Sequence, residues 1–235
     1  SAGRCQTPAL NLIYENYLDH KNSIPLPIYN TIGYFTSKNI EFKLNKQFEN
    51  SNDVLDLLNN CKSRVFNMNH HDTKQCVRSP PKPFITSTIQ QKCSTLYHIS
   101  PKETMSICQS LYESGFITYM RTDSFHLSNE FVNSTNKYIS SNYGNKYWKL
   151  EMQNQNSKSN AHEAIRPTNV KCVNLTNSSP KENKIYKLIW SQTVQSLMTN
   201  AIIDETKFII PYDDKTFFSH TTETIVFDGW MILEK

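Results

Sequence analysis

The spacing of apolar residues changes character along the chain. Leu10, Ile13, Tyr14, Tyr17 and Leu18 recur at steps of three and four, which predicts an opening helix of about four turns, with Thr7 as its N-cap and Pro8 as its first residue. Pro25 and Pro27 end that helix, and residues 23–30 read as a linker. From Ile32 the period becomes two. Ile40, Phe42 and Leu44 alternate with Glu41 and Lys43, as in a half-buried strand, and the region up to the proline-rich stretch 79–83 reads as β.

Beyond residue 83 the pattern is helical. Ser87 with Gln90, Ser100 with Glu103, and Ser179 with Glu182 each fit the capping box, and Pro101 and Pro180 fit the first helical position. The helix from Pro101 gathers Met105, Cys108, Leu111 and Tyr112 on one face and stops at Gly115, a residue suited to the left-handed C′ position. A further helix from 128 to about 141 uses Phe131, Val132, Thr135, Tyr138 and Ile139. The polar stretch 149–160 reads as a mobile loop, and the last helix, from 180 to about 200, buries Ile185, Ile189, Trp190, Val194, Leu197 and Met198. Strand patterns return at 207–212, 216–220 and 223–227. Helix, strands, helical block and strands again predict an α+β multidomain chain in which the helical block is inserted into one β domain.

Composition narrows the chemistry. At 235 residues the chain allows one large domain or two small ones, and 37% hydrophobic residues make a core possible but thin. Its five glycines stand at 3, 33, 115, 144 and 229, which excludes the GxGxxG dinucleotide fingerprint and the GxxxxGK[ST] phosphate loop. A net charge of +4 permits an anionic partner without requiring one. No apolar run approaches the ~18 residues of a membrane span and no leader pattern opens the chain, so it reads as soluble, with no membrane partner. Six cysteines without a CxxC fit free thiols in a reducing compartment. Cys61, His70, His71 and Cys76 match no familiar zinc spacing and read as a solvated loop, so no metal is expected in this chain.

Two segments carry candidate chemistry. In Gly115-Phe-Ile-Thr-Tyr-Met-Arg-Thr-Asp-Ser124 an extended backbone sends Tyr119, Arg121 and Asp123 to one face, with Thr118 and Met120 on the other. A phenol with a pKa near ~10 is a poor nucleophile unless a cation favours its phenolate, and Arg121 could do that while holding the oxygens of a phosphodiester. The plain alternative is a half-buried strand with an Arg121–Asp123 ion pair. In Ala161-His-Glu-Ala-Ile-Arg-Pro-Thr168, a helical backbone would place His162, Glu163 and Arg166 within one turn, an arrangement that on its own is more often structural than catalytic. Arg4, Gln6, Thr86, Thr88, Gln90 and Gln91 add donors suited to a DNA backbone.

Taken together, SAGRCQTPALNLI (1–13), KPFITSTIQQKCS (82–94), GFITYMRTDSFHLS (115–128), AHEAIRPT (161–168) and VFDGW (226–230) resemble, in order and spacing, the type IA DNA topoisomerases. The resemblance covers almost the whole chain. Met120 between Tyr119 and Arg121, and the run Ile165-Arg-Pro-Thr after His-Glu-Ala, point to the bacterial topoisomerase I subclass, because topoisomerase III members usually carry Pro between Tyr and Arg.

The resemblance implies a toroidal enzyme. Residues 1–32 would belong to its helical gate domain, 33–82 and 207–235 to a β hinge domain, and 83–206 to an inserted, helical winged-helix-like domain bearing the nucleophile. Tyr119 matches the tyrosine that forms a 5′-phosphotyrosine link and frees a 3′-hydroxyl. Arg121 matches the arginine that orients the phosphodiester, and His162 the histidine beside it. Arg4, Gln6, Thr88, Gln90, Asp123, Ser124, Glu163 and Arg166 match DNA-contacting positions. Cys5 departs from the usual Val, a packing change.

The family's Mg2+ site lies in a separate Toprim domain with a D-x-D pair. This chain contains no D-x-D, and Asp53 with Asp56, or Asp213 with Asp214, have the wrong spacing. Beginning at Ser1 inside a motif, it reads as a piece of a longer polypeptide whose Toprim domain precedes it. The implied partners are single-stranded or negatively supercoiled DNA and the remaining domains of the same polypeptide, in an intracellular, DNA-associated monomer.

Two other classes compete. Tyrosine recombinases and type IB topoisomerases also use Arg, His and Tyr, but there Tyr follows the His motif, whereas Tyr119 precedes His162 by 43 positions. A non-catalytic single-strand-binding module would use Tyr119 only to stack on bases. A covalent DNA adduct at Tyr119 separates it from an enzyme.

Overall fold

The computed structural model describes residues 3–68, 70–149, 162–176 and 178–234. Helices α1 (Gln6–Asn22), α2 (Ser51–Lys62), α3 (Thr86–Tyr97), α4 (Pro101–Glu113), α5 (Asn129–Asn142) and α6 (Pro180–Ser196) accompany strands β1 (Tyr29–Phe35), β2 (Ile40–Phe48), β3 (His70–Arg78), β4 (Ala201–Pro211) and β5 (Phe217–Phe227). The strands are ordered β1-β2-β5-β4-β3, and the chain is α+β. Two compact units are formed, one by residues 1–73 and 206–222, the other by 74–205 and 223–235. The expected loop at 149–160 lies, apart from Lys149, outside the described residues.

The first unit rests on a small aromatic core. Strand β1 pairs antiparallel with β2, and β2 with β5 in a register that sets Leu44 opposite Phe218. Alternation along β2 buries Phe42, Leu44 and Phe48 on one face, against Leu57, Ile210 and Phe218. Phe35 meets Phe42 and Phe218 edge-on, both at 5.3 Å between ring centroids.

Two expectations fail in this unit. Residues 33–82 are not continuously β, because α2 interrupts them. Asn50 caps that helix by accepting a 2.9 Å hydrogen bond from the Asn52 N–H, and Val54, Leu57 and Cys61, at helical spacing, turn toward the aromatic core. Helix α1 begins at Gln6 with Cys5 as its cap, not at Thr7, because the Thr7 N–H is already taken by the Gly3 carbonyl at 3.2 Å. Its apolar stripe, moreover, covers nothing among the described residues. No residue of α1 is buried, and Leu10, Leu12 and Ile13 are each about two-thirds exposed.

The second unit has the larger core, built from Ile89 and Cys93 of α3, Cys108 and Leu111 of α4, Phe131 and Ile139 of α5, and Ile185, Ile189, Trp190 and Val194 of α6. Two of its large buried aromatic side chains place their polar atoms on backbone carbonyls. The Trp190 Nε1–H donates to the Val170 carbonyl at 2.7 Å and the Tyr186 hydroxyl to the Cys172 carbonyl at 2.6 Å. Burial and that bond push the Tyr186 phenol well above its ordinary value.

Helix starts follow the sequence in two of three cases. Ser179 and Glu182 form the full reciprocal capping box, and Ser100 accepts from the Glu103 N–H at 3.2 Å. Ser87 and Gln90 do not cap α3. That helix starts earlier, after Ile85, because the Thr88 hydroxyl reaches back to accept the Ile85 N–H at 3.0 Å. The two strands expected at 216–220 and 223–227 are one, β5, which runs through Thr221 and Thr222.

Candidate active site

Helix α4 delivers the site. It ends as expected at Gly115, whose φ of +74° only glycine adopts freely. The Gly115 N–H bonds the Tyr112 carbonyl at 2.8 Å and the Phe116 N–H the Leu111 carbonyl at 2.9 Å, a Schellman closure that turns the chain back across its own last turn. Beyond Ile117 the chain passes a bend at Met120, and residues 118–125 alternate between a buried and an exposed side. Ile117, Met120, Thr122 and Ser124 are buried, whereas Tyr119, Arg121, Asp123 and Phe125 are exposed.

No regular strand forms there. The segment is held laterally, largely by threonine hydroxyls. Thr86 Oγ1 donates to the Met120 and Thr122 carbonyls at 2.8 and 3.0 Å and accepts the Thr122 N–H at 2.9 Å. Thr118 Oγ1 donates to the Ala164 carbonyl at 2.6 Å and accepts the Arg166 N–H at 3.0 Å, and Thr168 Oγ1 donates to the Gly115 carbonyl at 2.8 Å. Backbone bridges pair Phe84 with Ile165 and Ile117 with Pro167. Residues 162–168 are therefore extended, not helical, because their backbone is consumed in pairing with the segments at 84 and 117.

That pairing brings Tyr119 and His162 together. Both line one open depression of about 440 Å³, with Tyr112, Thr118, Thr122 and Glu163. His162 is exposed, and Tyr119 is 44% exposed with its ring edge-to-face against Tyr112 at 5.3 Å. Arg121 is exposed and, among the described residues, makes no ion pair or hydrogen bond, so the Arg121–Asp123 pair is not formed.

Glu163, although it lines that depression, is engaged with Arg166 and with the start of α5. One Glu163 carboxylate oxygen accepts the Ser128 N–H at the start of α5, at 2.7 Å, and the other accepts from Arg166 Nη2 at 2.5 Å. Arg166 also donates to the Pro167 carbonyl at 3.1 Å and lies over the Phe131 ring, 4.4 Å from its centroid. Burial alone would raise the Glu163 carboxyl, but Ser128 and Arg166 together outweigh it and hold the group below the ordinary carboxylate range.

The remaining expected contacts are dispersed. Ser124 is buried, with its hydroxyl accepting the His126 N–H at 3.1 Å, and the Thr88 hydroxyl is spent on α3. Gln90 is half-buried on α3, and Arg4 and Gln6 stand at the start of α1 in the first unit. Sequence reasoning missed Tyr112 as a site residue and Thr86, Thr118 and Thr168 as clamps. The threonine signal was present, since Thr118 and Thr122 sit on or beside the inward side of the extended segment, where a hydroxyl needs a partner.

The profile of the DNA topoisomerase family matches residues 1–235. The chain belongs to that family. It is 34% identical over 248 residues to DNA topoisomerase 1 of Buchnera aphidicola subsp. Schizaphis graminum, covering 100% of this chain and 29% of that one. With DNA topoisomerase 1 of Escherichia coli strain K12 the identity is 36% over 248 residues, covering 98% and 28%. The solved structure of full-length topoisomerase I from Thermotoga maritima superposes with a TM-score of 0.80 at 30% identity, covering 100% of this chain and 40% of that one. The resemblance to the bacterial topoisomerase I branch is thus upheld by relatives and by fold. The chain spans less than a third of the length of these curated relatives.

Among the described residues no three His, Cys, Asp or Glu side chains gather as a group that could hold a metal ion. Likewise no helix among them is long and apolar enough to cross a membrane.

Proposed function

We propose that the chain is the nucleophile-bearing part of a type IA topoisomerase that cuts and rejoins one DNA strand and so relaxes negative supercoils. One observation carries this reading: Tyr119 and His162, 43 positions apart, share one open depression on a segment clamped from both sides. The Tyr119 oxygen would attack phosphorus, forming a 5′-phosphotyrosine bond while the bond from phosphorus to the 3′-oxygen breaks. The phenol proton leaves to a base, and the departing 3′-oxygen takes up a proton to become a hydroxyl. Attack by that hydroxyl on the phosphotyrosine reverses both bonds and reseals the strand.

His162, on the rim of the same depression, is suited to exchange a proton or to hold a phosphate oxygen. Arg121, without a partner among the described residues and two residues from the nucleophile, is suited to the phosphodiester charge. No step is assigned to magnesium, which in this reading is held by a Toprim domain elsewhere in the same polypeptide. The same reading makes 1–32 gate, 33–82 with 207–235 hinge, and 83–206 a winged-helix-like insertion in a toroidal, intracellular monomer, with Arg4, Gln6, Gln90 and Asp123 contacting single-stranded DNA.

The test is Tyr119→Phe in the intact enzyme with an end-labelled single-stranded oligonucleotide. Covalent adduct should vanish while affinity stays within about twofold, since the ring can still stack. An adduct formed by the variant would place the nucleophile elsewhere, and a wild-type enzyme that binds but never forms one would make the chain a binding module.

A further inference from the structure

Tyr112 departs from the face of α4 to which sequence spacing assigns it. Its neighbours on that face, Cys108 and Leu111, are buried, whereas Tyr112 is 41% exposed and lines the depression that holds Tyr119 and His162. The Schellman turn at Gly115 folds the chain back so that the rings of Tyr112 and Tyr119 meet at 5.3 Å with planes inclined by 65°. Among the described residues, no other aromatic ring contacts Tyr119. Its phenolic oxygen lies on the χ2 axis, so χ1 sets where that oxygen stands, and an exposed tyrosine without a neighbour is free to change between staggered χ1 rotamers.

We propose that Tyr112 is a positioning residue for the nucleophile: its ring restricts the Tyr119 ring to the orientation from which the phenolic oxygen meets the scissile phosphodiester. This rests on the assignment of Tyr119 as nucleophile. The contact is between rings, and the Tyr112 hydroxyl has no hydrogen-bond partner among the described residues, so the ring and not the oxygen carries the effect. An edge-to-face pair contributes a modest orientational preference, but near-attack geometry amplifies small displacements of a reacting atom.

The experiment compares Tyr112→Ala and Tyr112→Phe with wild type in the intact enzyme, measuring single-turnover cleavage of a labelled oligonucleotide, single-strand affinity and thermal unfolding. Tyr112→Ala should slow cleavage about 3- to 30-fold with affinity within about twofold, and Tyr112→Phe should restore the rate to within about twofold. Because the side chain is partly exposed, unfolding should shift little in either variant. Wild-type cleavage by Tyr112→Ala overturns the proposal. So does a Tyr112→Phe defect as large as that of Tyr112→Ala, which would make the hydroxyl the active group. A loss of affinity parallel to the loss of rate also overturns it, because the ring would then be a platform for a base. Tyr119→Phe, run alongside, separates the two failures: persistence of its adduct removes the nucleophile assignment itself, whereas its loss with an unaffected Tyr112→Ala removes only the role of Tyr112.

Discussion

Segments 115–128 and 162–168 both bear the family's polar signature, yet they use it in opposite senses. The first hides its small residues in hydrogen bonds and leaves Tyr119, Arg121 and Asp123 outward, with Arg121 unpaired among the described residues. The second turns Glu163 and Arg166 inward onto each other, onto the start of α5 and onto Phe131, and leaves only His162 and Thr168 exposed. A charge whose partners lie within the chain stabilises the fold, and a charge without them is available to a phosphate. The same residue type, arginine, therefore stands in two environments, one engaged within the chain and one turned outward.

That contrast is sharpest at the two arginines. Replacing Arg121 by Lys keeps the positive charge and loses the planar fork that grips two oxygens at once. Arg121→Lys should slow single-turnover cleavage by roughly 10- to 1000-fold, the range expected when one oxyanion contact is lost, and leave thermal unfolding unchanged. Affinity should weaken far less, as one phosphate contact among several. Equal losses of rate and affinity would make Arg121 an ordinary backbone-binding cation, and a wild-type rate would mean that charge alone suffices.

Arg166→Met should invert that profile. Its side chain is only 13% exposed, and its removal strands the Glu163 carboxylate against the start of α5. A loss of about 2–3 kcal/mol in stability is expected, below the full cost of breaking a buried pair because Glu163 keeps some solvent. Chemical unfolding of the variant measures it. A stability within experimental error of wild type, combined with a cleavage defect, would return Arg166 to the DNA-contacting class that its motif implies.

The threonine clamp is the next weaker element. Thr86→Val preserves shape while removing a hydroxyl that accepts the Thr122 N–H and shares its one proton between the Met120 and Thr122 carbonyls; the Thr122 N–H and the Met120 carbonyl lose that partner, while the Thr122 carbonyl keeps the Thr86 N–H at 3.0 Å. A cost of about 1–3 kcal/mol follows from unsatisfied buried groups of this kind. Faster amide exchange at 120–124 than in α4 would locate the loosening. Uniform exchange across both would show that the segment does not depend on the clamp.

These three positions also show what the sequence could and could not disclose. Alternation along 118–125 was legible because its cause is local: an extended backbone sends successive side chains to opposite faces whether or not a ladder forms. Helix α4, with Ser100, Pro101 and Gly115, was legible for the same reason. The extended course of 162–168 was not, since its backbone bonds go to Phe84 and Phe116–Thr118, dozens of residues away. Helix α2 was missed because β-like alternation before it set the expected period, although Asn50, Val54, Leu57 and Cys61 spell a capped helix. The stripe on α1 was read correctly as helical, but a stripe does not say what covers it.

The smallest expected effect is a pH dependence, and its sign follows from Glu163. The folded carboxyl is held below its ordinary value near ~4.3, so the folded chain binds that proton more weakly than the unfolded chain does. The stabilisation is complete above the unfolded value and disappears as pH falls through the lowered folded value. Glu163→Gln removes the titration while keeping the shape, and places an uncharged amide against Arg166. At neutral pH the variant should be less stable than wild type, and the gap should narrow as pH falls from about 7 to about 3. Chemical unfolding of both proteins at a series of pH values gives the two curves. A gap that stays constant across that range would mean that the Glu163 proton is not linked to folding. Arg166 would then owe its placement to the Phe131 ring and the Pro167 carbonyl, and the inward-facing half of the comparison would rest on packing, not on charge.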